Sequence, residues 1–177
     1  MDPALSAIAS TLDGIGAPRP DANLHVWRID YGPLWKFFSE SGVERTKAAV
    51  LEAAWQLPAP LFFAPENPID DDLKPFVRSE GSAWRIDKTR SAAAFYAIEP
   101  ASGIGNWQLY AADQPVEALP DAHRTSPADL ILFMTANRIT LLIDALHDDT
   151  DWCVAICDQQ SAQGTASSDS FRTSPLA

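Results

Sequence analysis

The chain has 177 residues and 19.3 kDa, with 24 acidic against 13 basic side chains, a net charge of −11 and a pI near 4.5. That length suits one domain able to bury a core without disulfides or a structural metal, and 46% hydrophobic residues with six Trp place it outside the disordered class. The charge argues against DNA, RNA and anionic membranes, which are held mainly through Lys and Arg.

Pro3 to Leu12 spaces Leu5, Ile8, Ala9 and Leu12 at helical intervals before Gly14, Gly16, Pro18 and Pro20 interrupt it. Leu24 to Ile29 reads as a first strand. Beyond the apolar Leu34 to Phe38, Val43 to Leu57 predicts a helix, with Val43, Thr46, Val50, Ala54 and Leu57 in one stripe and Lys47, Leu51 and Trp55 adjoining it. Five prolines between Pro58 and Pro75 and the triplet Asp70-Asp71-Asp72 predict loops with only short regular structure. Ser82 to Ile86, Ala92 to Ile98 and Asn106 to Ala111 read as strands of an antiparallel meander.

Ser126-Pro127-Ala128-Asp129 is a helix start: a capping hydroxyl, a proline at the first helical position and an acid at the third. Leu130 to Leu146 is apolar around most of a helical circumference, which predicts a buried helix or two short helices jointed near Asn137-Arg138. Trp152 to Ile156 reads as the last strand, with Cys153 and Cys157 as free thiols on one face, and 159–177 as a disordered tail. The expectation is one α+β domain over 1–158, an antiparallel sheet of four to five strands covered on one face by two main helices. Met1-Asp2-Pro3-Ala4 carries neither a basic region nor an apolar run, so no signal peptide and a cytoplasmic location are expected.

Charge is uneven along the chain. There are 13 acidic and 10 basic residues through Ile98, net −3, against 11 and 3 beyond it, net −8. Asp148 and Asp149 follow a predicted helix end, where carboxylates oppose the macrodipole, so helix stability does not explain them. The set His147, Asp148, Asp149, Asp151 and Cys153 lacks the spacing of zinc or calcium sites, and no metal or cofactor is expected. No GxSxG elbow, complete GxGxxG or P-loop occurs, and thiols inside an apolar strand are poor nucleophiles, so no catalytic residue is assigned.

Ala128-Asp129-Leu130-Ile131 followed by Thr135 to Leu146, about 20 residues, resembles the paired-helix segment of some small phage-encoded early proteins of uncharacterised role. In overall profile the chain is similar to bacterial immunity proteins, which are small, acidic, cytoplasmic and α+β. The expected function is a non-enzymatic acidic binder that neutralises or regulates a basic protein partner such as a toxin, nuclease or defence protein. Asp148, Asp149, Asp151 and Asp70 to Asp72 would meet its cations, and Trp152 would supply apolar contact. The alternatives are a small enzyme or ligand-binding module with a pocket between sheet and long helix, and a structural homo-oligomer.

Overall fold

The computed structural model describes residues 1–34, 40–98 and 105–158, the side chains of 33, 34, 40 and 41 excepted. The expected tail lies outside the described residues, as do most of the apolar run before Ser39 and the 101–104 connection. The architecture is α+β, with one sheet of seven strands in the order β1-β7-β6-β5-β2-β4-β3, every neighbouring pair antiparallel. The strands are β1 (Val26–Asp30), β2 (Leu61–Pro65), β3 (Val77–Glu80), β4 (Ala83–Ile86), β5 (Trp107–Ala112), β6 (Ile139–Leu146) and β7 (Asp151–Ile156). Among the described residues five α-helices accompany them: α1 (Pro3–Gly14), α2 (Tyr31–Leu34), α3 (Glu40–Trp55), α4 (Ala92–Ile98) and α5 (Pro127–Ala136), with a 3-10 turn at Asp71–Phe76. The sheet is therefore wider than the four to five strands expected, and the helices more numerous.

Three segments depart from expectation for identifiable reasons. Leu141 to Leu146 is strand, not helix, because β6 lies inside the sheet with both faces covered, so apolar residues fall on both faces, Asp144 alone interrupting them, and the period of two is lost. The resemblance to a paired-helix segment ends with it. Ala92 to Ile98 is helix, not strand: its alanines favour helix, the Ser91 hydroxyl accepts the Ala94 N–H at 3.2 Å, and Ala92, Phe95 and Tyr96 are buried at helical spacing. β2 forms within the proline-rich stretch because Pro60 and Pro65 fall at its ends.

The sheet is buried on both faces, not one. On the first face Trp27, Phe63, Trp107, Leu109, Ile143, Trp152 and Val154 meet α1, α3 and α4 in the larger core. α3 docks through Val43, Val50, Leu51, Ala54 and Trp55, each side chain worth about 1.5–3 kcal/mol when fully buried if large and apolar. On the second face Val26, Phe62, Tyr110, Leu142, Cys153 and Ala155 lie under Leu130 and Met134 of α5 and under Ala122. The 113–126 coil is tied down by Arg28 of β1, whose guanidinium donates to the main-chain oxygens of Ala122 (3.3 Å) and Thr125. α5 starts as expected, with the Ser126 hydroxyl accepting the Asp129 N–H at 3.2 Å.

Candidate functional site

The β6–β7 turn is the most constrained segment of the backbone. His147, Asp148 and Asp149 have φ of 55°, 54° and 73°, three consecutive non-glycine residues in the left-handed region, each costing about 1–3 kcal/mol. Asp149 offsets that strain by reaching into the first core. Its Oδ2 accepts from Lys47 Nζ of α3 (2.9 Å) and from the Tyr96 hydroxyl of α4 (2.8 Å), and its Oδ1 from Trp152 Nε1 (2.6 Å). Lys47 also donates to the Asp149 main-chain oxygen at 2.8 Å, and its ammonium stands 4.8 Å from the Tyr31 ring centre and 5.8 Å from that of Trp152. Burial, with Asp149 next in weight, pushes the Tyr31 phenol far above its usual range, and its hydroxyl has no hydrogen-bond partner in the described structure.

This cluster fixes the turn to α2, α3 and α4 and has no open side: Lys47 and Asp149 are 4% and 5% exposed and Trp152 is fully buried. Two of the residues expected on a docking face, Asp149 and Trp152, thus lie in the interior, and the network they belong to is structural. Asp148 is exposed and Asp151 half-buried, with His147 Nε2 3.6 Å from the Asp151 carboxylate. Asp70, Asp71 and Asp72 are exposed on the crossover from β2 to β3, where Asp70 caps the 3-10 turn through the Asp72 N–H and Asp71 pairs with Lys74 at 2.7 Å.

Register places further acids beside Asp148 and Asp151. Asp30 ends β1 directly opposite Asp151, and Glu66 follows Pro65, which is opposite Trp107 at the same end of the sheet. Asn106 stitches this end together: its main chain exchanges hydrogen bonds with Glu66 (N–H to carboxylate 3.3 Å; Glu66 N–H to its oxygen 2.9 Å), and its side-chain oxygen accepts the His147 N–H at 2.9 Å. Just before it, Gly105 has φ +77°, and a Cβ there would lie 3.0 Å from the Asn67 amide, so the close crossing of these two segments suits glycine alone.

Next to this end, on the second face, a groove of about 370 Å³ runs over Ala64, Gln108, Asp144 and Leu146, walled by Leu119, Pro120 and Asp121. Asp144 projects from β6 into the second face and is 3% exposed. Its Oδ2 accepts from Gln108 Nε2 (3.1 Å) and the Ala122 N–H (3.0 Å), while its Oδ1 is 3.9 Å from His123 Nε2, whose proton goes to the Asp144 main-chain oxygen at 2.9 Å. No Lys or Arg among the described residues pairs with it, and burial pushes its carboxyl above the usual range despite these donors. The arrangement is a carboxylate held by a side-chain amide and a main-chain N–H, with an imidazole 3.9 Å away, beside a groove that also carries Asp121 and Glu66, chemically an acceptor for a cation or a proton.

Among the described residues no three His, Cys, Asp or Glu side chains are grouped to hold a metal ion, and no helix is long and apolar enough to cross a membrane. Cys153 and Cys157 are buried and not joined in a disulfide, and burial pushes the Cys153 thiol up to about 12, which removes it as a nucleophile near neutral pH. No family model, curated protein or solved structure matches the chain.

Sequence reasoning missed Lys47, Tyr96, Tyr31, Asp30, Glu66 and Asp144. Two of these carried a signal. Lys47 stands at i−4 and i−8 from the apolar Leu51 and Trp55, the place of a buried cation, and Asp144 interrupts an apolar run whose neighbours at i±2, Leu142 and Leu146, face the same way.

Proposed function

We propose that the chain is a non-enzymatic binding protein that neutralises or regulates a basic protein partner, in the manner of bacterial immunity proteins or phage anti-defence inhibitors. One observation carries the reading: Asp30, Glu66 and Asp148 are exposed at one end of the sheet without a Lys or Arg contact among the described residues, and Asp151 beside them meets only a histidine. Unpaired carboxylates concentrated on one surface raise the association rate with a cationic surface and select against anionic partners. The groove beside them, with Asp121, Asp144 and Gln108, is a seat for one Arg or Lys side chain of that partner.

A second reading, a ligand-binding or catalytic module, is favoured by the Asp144 carboxyl held above the usual range in a groove. The nearest imidazole is already committed to main chain, and the adjoining thiol, Cys153 directly opposite Asp144, is pushed up to about 12 by burial, so binding accounts for the groove more simply than catalysis.

The test is parallel affinity capture from the source lysate at low and moderate salt, using the unaltered protein and the Asp30→Asn, Glu66→Gln, Asp148→Asn, Asp151→Asn variant. A stoichiometric basic protein held by the former, and lost both on the variant and with added salt, is the expected result. Equal retention by both proteins contradicts the reading.

A further inference from the structure

At the opposite end of the sheet, the β3–β4 hairpin and the turn through Pro58 and Pro60 enclose a cleft of about 510 Å³. Its lining is divided: Pro58, Pro60, Pro75, Val77 and Ile86 are apolar, while Arg78, Arg85 and Lys88 are cationic, with Asp87 the one acid in contact among the described residues. In a protein of net charge −11 this is an inversion of the surrounding sign.

The cations are poorly neutralised from within. Arg78 and Arg85 stand directly opposite one another in the antiparallel register, an unfavourable pairing of like charges, and share a single carboxylate, Glu80, at 3.9 and 3.5 Å. Lys88 is anchored by the main-chain oxygens of Leu57 and Ala59 instead of an acid, and burial followed by Arg85 holds its amine below the usual lysine range. Asp87 spends its carboxylate on the N–H and hydroxyl of Thr89, at 3.0 and 2.6 Å. By contrast Arg19, Lys47, Lys74, Arg124 and Arg138 each stand beside their own aspartate. Among the lining residues three cations, Arg78, Arg85 and Lys88, stand against one acid, Asp87, so the cleft keeps a positive excess even with Glu80 beside the two arginines, the sign that a phosphate requires.

We infer that this cleft binds a phosphate monoester carried on an apolar or ring body, the phosphate lying among Arg78, Arg85 and Lys88 and the body against Pro58, Pro60 and Pro75. Guanidinium forks match phosphate oxygens two at a time, and a lysine adds a point charge. The volume falls in the range of small-molecule sites, about 300–1,000 Å³, which leaves room for more than a bare anion. The inference is independent of the acidic end.

Calorimetric titration at fixed ionic strength, with phenyl phosphate, inorganic phosphate and benzoate as probes, decides it. Phenyl phosphate is expected to bind with one-to-one saturation, about tenfold or more tighter than either other probe, and Arg78→Ala and Arg85→Ala are each expected to weaken it about tenfold, the scale of a charge-assisted hydrogen bond. Arg78 is largely exposed, so its variant keeps the fold, and an unchanged melting curve verifies this. Lack of saturation, equal affinity for inorganic phosphate or benzoate, or full affinity in a folded Arg78→Ala protein overturns the inference.

Discussion

Two aspartates of the same hairpin, Asp144 and Asp149, are both almost completely buried, yet their surroundings differ in kind. Asp149 faces the core under α3 and α4, has a lysine at 2.9 Å and fills its acceptor sites with a phenol and an indole. Asp144 faces the thinner second layer, has no described Lys or Arg, and is held by an amide side chain and one main-chain N–H beside a groove. The first is a closed clamp beneath a strained turn, and the second, on the proposed reading, is a charge kept for a cation. Burial alone does not separate the two; the partner does, a lysine in contact with one carboxylate and, for the other, only an imidazole 3.9 Å away whose ring N–H goes to main chain.

The largest effect should come from breaking the clamp. Lys47→Met leaves the Asp149 charge buried without its cation and is expected to cost about 3–5 kcal/mol, read by urea denaturation. A cost below ~1 kcal/mol would mean that the turn is held by something else.

Asp144 should respond with the opposite sign. Because its folded carboxyl is raised above the ordinary value, its protonated form favours the fold, and that contribution is lost as pH rises through the folded pKa. Asp144→Asn keeps an acceptor for Gln108 and Ala122 while removing the charge, so it is expected to gain of order 1 kcal/mol at pH 7. The gain should fade as pH drops toward about 4 and below. Thermal melts across pH measure this, and a destabilised variant at pH 7 would show that the charge has an internal partner.

Smaller still, the Asp148→Asn, Asp151→Asn pair should alter stability by less than about 0.5 kcal/mol, while reducing both the affinity for a basic partner and its salt dependence. Equal salt dependence before and after would remove these two residues from the docking surface. At the bottom of the scale, the thiols should not react with a disulfide reagent in the folded protein and should both react once it is unfolded in denaturant. Rapid reaction of Cys153 in the folded state would contradict its burial.

What was legible in the sequence follows the same physics. The α5 start could be read because Ser126, Pro127 and Asp129 act locally, and α3 because one of its faces is wet and its stripe survives. β6 could not, since a strand covered on both sides has no polar face to betray its period, and α4 was hidden by its shortness. The acidic end was half legible. Asp148 and Asp151 advertised themselves by density in the chain, whereas Asp30 and Glu66 reach them only through the β1–β7 and β2–β5 registers. Asp149 and Trp152 look like surface residues in the sequence because of the charges beside them. Their burial depends on Lys47 and Tyr96, both distant in sequence.

The most direct test of the contrast between the two aspartates is an amide NMR titration with N-acetyl-arginine amide, a neutral-backbone probe carrying one guanidinium. The account predicts saturable shifts of the Gln108 side-chain amide and the Ala122 N–H, weakened in Asp144→Asn, with the Trp152 indole N–H on Asp149 unmoved. A flat response at Gln108 and Ala122, or one unchanged in Asp144→Asn, would contradict the claim that Asp144 is the carboxylate held ready for a cation.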